Sequence, residues 1–187
     1  VTDDELQAIT IGPRAPHDAT IVLADYDPAW PAQYAREAAR IRSALGARVI
    51  VLEHVGSTSV PGLAAKPRLD LVLAVADAAD EAAYVPALEA AGYALRIREP
   101  AWHEHRLLKG TDPALNLHVF SAGASEVARM IAFRDWLRAH PDDRARYERT
   151  KRALAAQVWH QTQDYADAKT AVVTEIEARI SAARSAT

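Results

Sequence analysis

Apolar positions along residues 30–45 fall at Trp30, Tyr34, Ala38, Ile41 and Leu45, at spacings of four, four, three and four. That spacing lines one face of a helix. Asp27–Pro28 ahead of it reads as an N-cap with proline at the first helical position, and Gly46 behind it as a left-handed stop. Elsewhere the period changes to two. Thr20–Ala24 is a short strand candidate, and Arg48 to Val55 is rich in strand formers. Leu69, Leu71, Leu73 and Val75 alternate with Arg68, Asp70, Val72 and Ala74, so the two sets point to opposite faces of a strand. A helix is expected from about Ala78 to Ala91, stopping at Gly92. Tyr93–Arg98, His103–Lys109 and Leu115–Phe120 again alternate like strands. From about Ser125 no strand pattern remains, and three helices are predicted over roughly 125–139, 142–159 and 163–183.

Strands with helices, followed by helices alone, imply an α+β protein with a mixed sheet and flanking helices. The expected layout is a tail or surface arm over 1–19, an α/β core over 20–122 and a helical part over 123–187 packed on that core. Composition narrows the class. Half of the 187 residues are hydrophobic, enough for a real core. A net charge of -3 argues against a nucleic-acid partner held by bulk electrostatics. No apolar run approaches the ~20 residues that span a bilayer, and the acidic start at Asp3, Asp4 and Glu5 is unlike a signal peptide. With no cysteine there are no disulfides or thiolate metal sites. The expectation is a soluble, cytoplasmic protein with no membrane partner.

Chemistry concentrates between Glu53 and Asp70. A strand runs into Gly56-Ser57-Thr58-Ser59, Lys66 follows, and the next strand carries Asp70. Gly56 permits close approach of backbone to a ligand, and successive amides with three hydroxyls can hold an anion. Lys66 is a candidate phosphate counter-charge. Asp70 lies in an otherwise apolar strand, where a carboxylate needs a partner or a metal. The bland alternative has the serines capping a short helix and Asp70 pairing with Arg68 or Arg106.

His54-Val-Gly-Ser-Thr-Ser-Val-Pro-Gly-Leu-Ala-Ala-Lys-Pro67 followed by Asp70 is very similar to the signature of the GrpB (UPF0157) family. Tyr26-Asp-Pro-Ala-Trp30, Asn116-Leu-His-Val119, Phe133-Arg-Asp-Trp-Leu-Arg-Ala-His-Pro141 with Tyr147 and Lys151, and Tyr165 with Lys169 agree with it. Together they cover roughly residues 20 to 180. That family in turn resembles the polymerase-β-like nucleotidyltransferases, in which a Gly-Ser turn holds phosphates and an Asp-x-Asp pair binds two magnesium ions. The resemblance implies a nucleotidyltransferase-type mixed sheet and transfer of a nucleotidyl group to a small molecule. Gly56, Ser57, Thr58 and Ser59 would hold the nucleotide or another phosphorylated ligand, and Asp70 would bind Mg2+. Two departures stand against the standard mechanism. Val72 occupies the position of the second aspartate, and His118, not a carboxylate, is the inward candidate on the later strand.

His118 suits a general base or an orienting group near neutral pH. Its bland reading is a histidine that orders the sheet against Asp70 or Ser57. His103 and His105, two apart, would share a face and with His118 could form a three-histidine metal site, a weak pattern. Arg106 and Lys109 would add charge over a polyphosphate. His54 reads as a structural hydrogen-bonder, the later aromatics as core, and Lys151 and Lys169 as solvated helix positions. Two rivals to nucleotidyl transfer follow. One is a non-catalytic ligand-binding or accessory module. The other is a small-molecule enzyme using His118 and Asp70 for acid–base chemistry without nucleotide.

Overall fold

The computed structural model describes residues 2–13 and 18–185. Its centre is a five-stranded mixed sheet built from β2 (Val51–Val55), β3 (Leu69–Val75), β4 (Ala94–Glu99), β5 (His105–Thr111) and β6 (Ala114–Ser121), in the order β2-β3-β6-β5-β4. Only β3 and β6 run parallel, and the chain between them crosses over through a helix and the β4–β5 hairpin. Every other neighbouring pair is antiparallel.

The alternation in β3 assigns the two faces. Leu69, Leu71, Leu73 and Val75 join Leu115, Leu117 and Val119 of β6 in the main core. That core is closed by α2 (Trp30–Leu45) and α3 (Val85–Ala90). On the other face, Val72, Ala74 and Phe120 pack under α4 (Ser125–Ala139) through Val127, Met130 and Ile131. α5 (Pro141–Ala155) and α7 (Thr170–Ser185) add a second apolar cluster centred on Leu63, Leu137 and Ile176.

Several elements begin or break where local chemistry overrides the period. α2 starts at Trp30 with Pro31 in its first turn, and Asp27 accepts from the Ala29 amide in the turn before it. Proline tolerates only that first turn, which also shortens the helix expected at 78–91 to a 3-10 turn at Glu81–Ala83 followed by α3, with Pro86 near its start. The last predicted helix divides into α6 (Thr162–Asp167) and α7, with Lys169 in the break. A strand pair missed by pattern reading joins β1 (Ala19–Thr20) to β7 (Val158–Trp159), each too short to show alternation. Ala24 pairs with Ala65 only as an isolated bridge. Near the start of the chain, α1 (Asp3–Ile9) is closed by a reciprocal cap between Thr2 and Glu5, and Thr10 bridges to Ile97. Pro13 is described, whereas the expected feature at Pro16 falls outside the described residues. Among the described residues, no helix is long and apolar enough to cross a membrane.

Candidate functional site

β2 leaves the sheet at Val55, and the turn after it is shaped by Gly56 at φ 67°. A Cβ there would stand 2.6 Å from Oδ2 of Asp70, so glycine is what lets the turn press against that carboxylate. The three hydroxyls that follow have separate fates. Thr58 is buried and shares a hydrogen bond with His54 Nε2 at 2.9 Å. Ser59 donates back to the Gly56 carbonyl at 2.6 Å, while its own carbonyl accepts from Arg138 at 3.0 and 2.8 Å. Thr58 and Ser59 thus hold the turn together and are withdrawn from the ligand role expected of them. Ser57 instead turns toward the helical part, accepting from Lys151 Nζ at 3.0 Å.

Lys151 is 2% exposed and also donates to the Ala64 carbonyl. Burial, with Lys169 nearby, pulls its pKa down to about 7. It lies in the row Asp143, Tyr147, Lys151 and Ala155, the buried side of α5. Two further lysines converge on the ring of Tyr165, Lys66 at 5.3 Å and Lys169 at 4.5 Å from its centroid. Burial and then the charge of Lys66 pull Lys169 down to about 8, and burial likewise lowers Lys66 against the pull of Asp70. Among the described residues, neither ammonium has a hydrogen bond or an ion pair. The Tyr165 hydroxyl and Asn116 Oδ1 are buried without a partner as well.

Asp70 follows from register. Parallel pairing sets Asp70 opposite Asn116 and Val72 opposite His118, so the carboxylate, the amide and the imidazole share a face. Asn116 donates to Asp70 Oδ1 at 2.9 Å, and His118 Nε2 lies 3.8 Å from the same oxygen. Burial pushes the carboxyl up, but His118, Asn116 and Lys66 outweigh it and hold Asp70 below its usual range. Neither Arg68 nor Arg106 is its partner.

His118 is oriented from behind. His105 Nδ1 lies 2.6 Å from Glu99 Oε2, and His105 Nε2 lies 3.1 Å from His118 Nδ1. An ionised carboxylate only accepts, so His105 Nδ1 carries hydrogen. Burial lowers the His105 pKa, which keeps its ring neutral near pH 7 and its Nε2 a bare acceptor. His118 Nδ1 must then donate, so that in the neutral ring Nε2 is a lone pair on the Asp70 side, and it is the protonated ring that holds the Asp70 carboxyl down. Protonating that nitrogen would create an ion pair with Asp70, which suits His118 to accept a proton.

Arg106 belongs elsewhere. It lies opposite Val119, on the main-core face, nearly buried and bonded to Glu81 at 2.6 Å. The phosphate role expected of it is therefore corrected. His103 and His105 do not share a strand face, because His103 sits in a turn at φ 51° and β5 begins only at His105. A magnesium ion does not fit these donors. Asp70 is one carboxylate beside cationic side chains, Val72 is fully buried, and among the described residues no three His, Cys, Asp or Glu groups converge. His54 stacks on Tyr34 at 4.9 Å on the far face, and burial pulls it down to about 4.

Sequence reading missed Glu99, Asn116, Tyr165, Lys151 and Lys169 as site residues. Asn116 was detectable, being two positions before His118 on the same face. Lys151 was detectable as well, because residues four apart with Tyr147 and Ala155 define a buried helix row. Glu99 and Lys169 reach the site only through tertiary packing.

The fold and site define an α+β protein with a cluster of polar groups on one sheet face, beside a glycine–serine turn and flanked by C-terminal helices. The family model described as GrpB protein matches residues 20–179, and the chain belongs to this family. A UPF0157 protein of Halalkalibacterium halodurans is 59% identical over 181 residues, covering 97% of this chain and 93% of that one. A dephospho-CoA kinase of Mycolicibacterium paratuberculosis is 33% identical over 162 residues, 72% of this chain and 40% of that protein. The crystal structure of a conserved GrpB protein from Enterococcus faecalis superposes with a TM-score of 0.67 at 27% identity, covering 82% of this chain and 98% of that one.

Proposed function

We propose that the protein binds a phosphorylated small molecule, with its phosphate between Lys66 and Lys169, and that His118 with Asp70 moves a proton on that ligand. The observation that carries this reading is the pair of half-buried ammonium groups over one tyrosine ring, which among the described residues have no ion pair and feel only the more distant pull of Asp70. Burial disfavours both charges and the charge of Lys66 further disfavours that of Lys169, and a phosphate dianion would relieve both effects. The orphan Tyr165 hydroxyl offers that anion a donor. Resemblance to nucleotidyltransferases favours a nucleotide as the ligand class, and the relative named dephospho-CoA kinase lends weight to a phosphorylated ligand. Transfer through two metals is not supported by a single carboxylate. Acid–base chemistry at His118 needs no second one.

Titration calorimetry with inorganic phosphate and with ADP tests the reading. Lys66→Met and Lys169→Met should each weaken binding about tenfold, near 1.4 kcal/mol, without loss of thermal stability. Unchanged affinity in both variants would contradict it. A second reading, a binding module without chemistry, is favoured by Val72 at the place of a second carboxylate. It predicts the same affinities and no proton transfer to any ligand.

A further inference from the structure

We infer that Ser57 is a nucleophile, with Lys151 as its base, in a site that accepts a small ester carrying an apolar acyl group. The reactivity of Ser57 does not rest on phosphate binding at Lys66 and Lys169, although an anion held there would raise the Lys151 pKa and slow the step. Of the three hydroxyls, Thr58 is tied to His54 and Ser59 to the Gly56 carbonyl, whereas Ser57 meets Lys151 Nζ at 3.0 Å, with the Tyr147 hydroxyl beside it. Among the described residues no carboxylate forms an ion pair with Lys151, and Glu148, the acid one turn before it, is engaged by Arg152 at 2.9 Å. Its bond to the Ala64 carbonyl fixes the head of the side chain, so a neutral amine can give one hydrogen to Ala64 and accept one from Ser57. The charges around it are Lys169 ahead of α7, Asp70 on β3, and Glu148 and Arg152 on α5. With burial, they leave the free amine well populated at neutral pH.

The second observation is a cavity of about 190 Å3 on which Gly56 and Ser57 open. Its walls are Met130, Phe133, Leu137, Tyr147 and Val173. The two arginines at its rim are already neutralised, Arg129 by Glu126 and Glu177, and Arg134 by Glu53 and Asp135. It offers apolar surface and no spare cation, which suits a hydrocarbon group and not an anion. It is smaller than the ~300–1,000 Å3 of drug-sized sites, so a short aliphatic or single-ring acyl group fits.

In the step that follows, Ser57 Oγ bonds to the ester carbonyl carbon while its proton passes to Lys151 Nζ. The carbon–oxygen bond to the leaving alcohol breaks, and that oxygen takes the proton from Lys151. Water then attacks the acyl-serine, giving its proton to Lys151. The acid departs as Ser57 Oγ recovers that proton. Ester and water become acid and alcohol, and the enzyme is regenerated.

Phenylmethanesulfonyl fluoride probes the nucleophile directly, because Ser57 Oγ would displace fluoride and Lys151 would take the proton. Mass spectrometry should find one adduct, on Ser57, absent in Ser57→Ala. Its rate should rise with pH through about 7 and then level. Lys151→Met should slow labelling about a hundredfold at pH 8. Melting and sulfate titration of that variant would show that fold and anion site persist. If Lys151→Met does not fold, the pH–rate profile of the unaltered protein decides. Absence of a Ser57 adduct, equal labelling of folded Lys151→Met, or a profile without the rise near pH 7 would overturn the inference. None of these bears on phosphate affinity at Lys66 and Lys169.

Discussion

The two faces of the sheet bury polar groups in opposite ways. On the face under α2 and α3, each has a partner: Glu37 takes the Tyr93 hydroxyl at 2.6 Å, Arg106 holds Glu81, and His54 meets Thr58. On the other face, beside the turn, Lys66 and Lys169 lack an anion, and the Tyr165 hydroxyl and Asn116 Oδ1 lack any partner. His118 Nε2 stands 3.8 Å from Asp70 Oδ1. Folding alone favours the first arrangement, since an unsatisfied buried polar group costs about 1–3 kcal/mol. Concentrating the second at one place is what motivates the proposed site, where a bound anion would complete the structure.

The comparison breaks most visibly at Arg106. Arg106→Ala removes one side of an ion pair whose arginine is nearly buried, and should destabilise the fold by about 3–5 kcal/mol while leaving phosphate affinity unchanged. Urea denaturation with calorimetry checks both. Gly56→Ala comes next. Its φ of 67° and the 2.6 Å approach to Asp70 predict a loss of about 1–3 kcal/mol, accompanied by weaker ligand binding because the turn moves away from Asp70. Smallest is Asp70→Asn, which keeps the bond from Asn116 and strands no arginine. Its melting should change by no more than about 1 kcal/mol. A loss as large as that of Arg106→Ala would place Asp70 among the structural pairs of the first face.

How much of this was readable beforehand differs between the faces. The main core follows from alternation in β3 and β6, whose leucines are apolar at every second position. The shared face of Asp70 and His118 follows from the same alternation together with the parallel register. The cations follow less directly. Lys151 is marked only by the row it shares with Tyr147 and Ala155, and Lys169 lies in the α6–α7 break, which only packing against the turn brings inward. Arg106 shows the converse, because a charged residue on a strand gives no sign that Glu81, twenty-five positions away, will neutralise it.

Proton uptake on anion binding tests most directly the claim that the unpaired lysines await a ligand. At pH 8 Lys169, drawn down to about 8, is partly neutral, and Lys151, drawn down to about 7, is mostly neutral. An anion favours the charged form and raises both pKa values, so binding must draw in protons and weaken as pH rises beyond about 8. Sulfate does not titrate in this range, and calorimetry in two buffers of different ionisation enthalpy counts the protons. The account predicts uptake of a substantial fraction of a proton per sulfate, reduced in Lys169→Met. Binding with no proton uptake, at an affinity that Lys169→Met leaves unaltered, would contradict it.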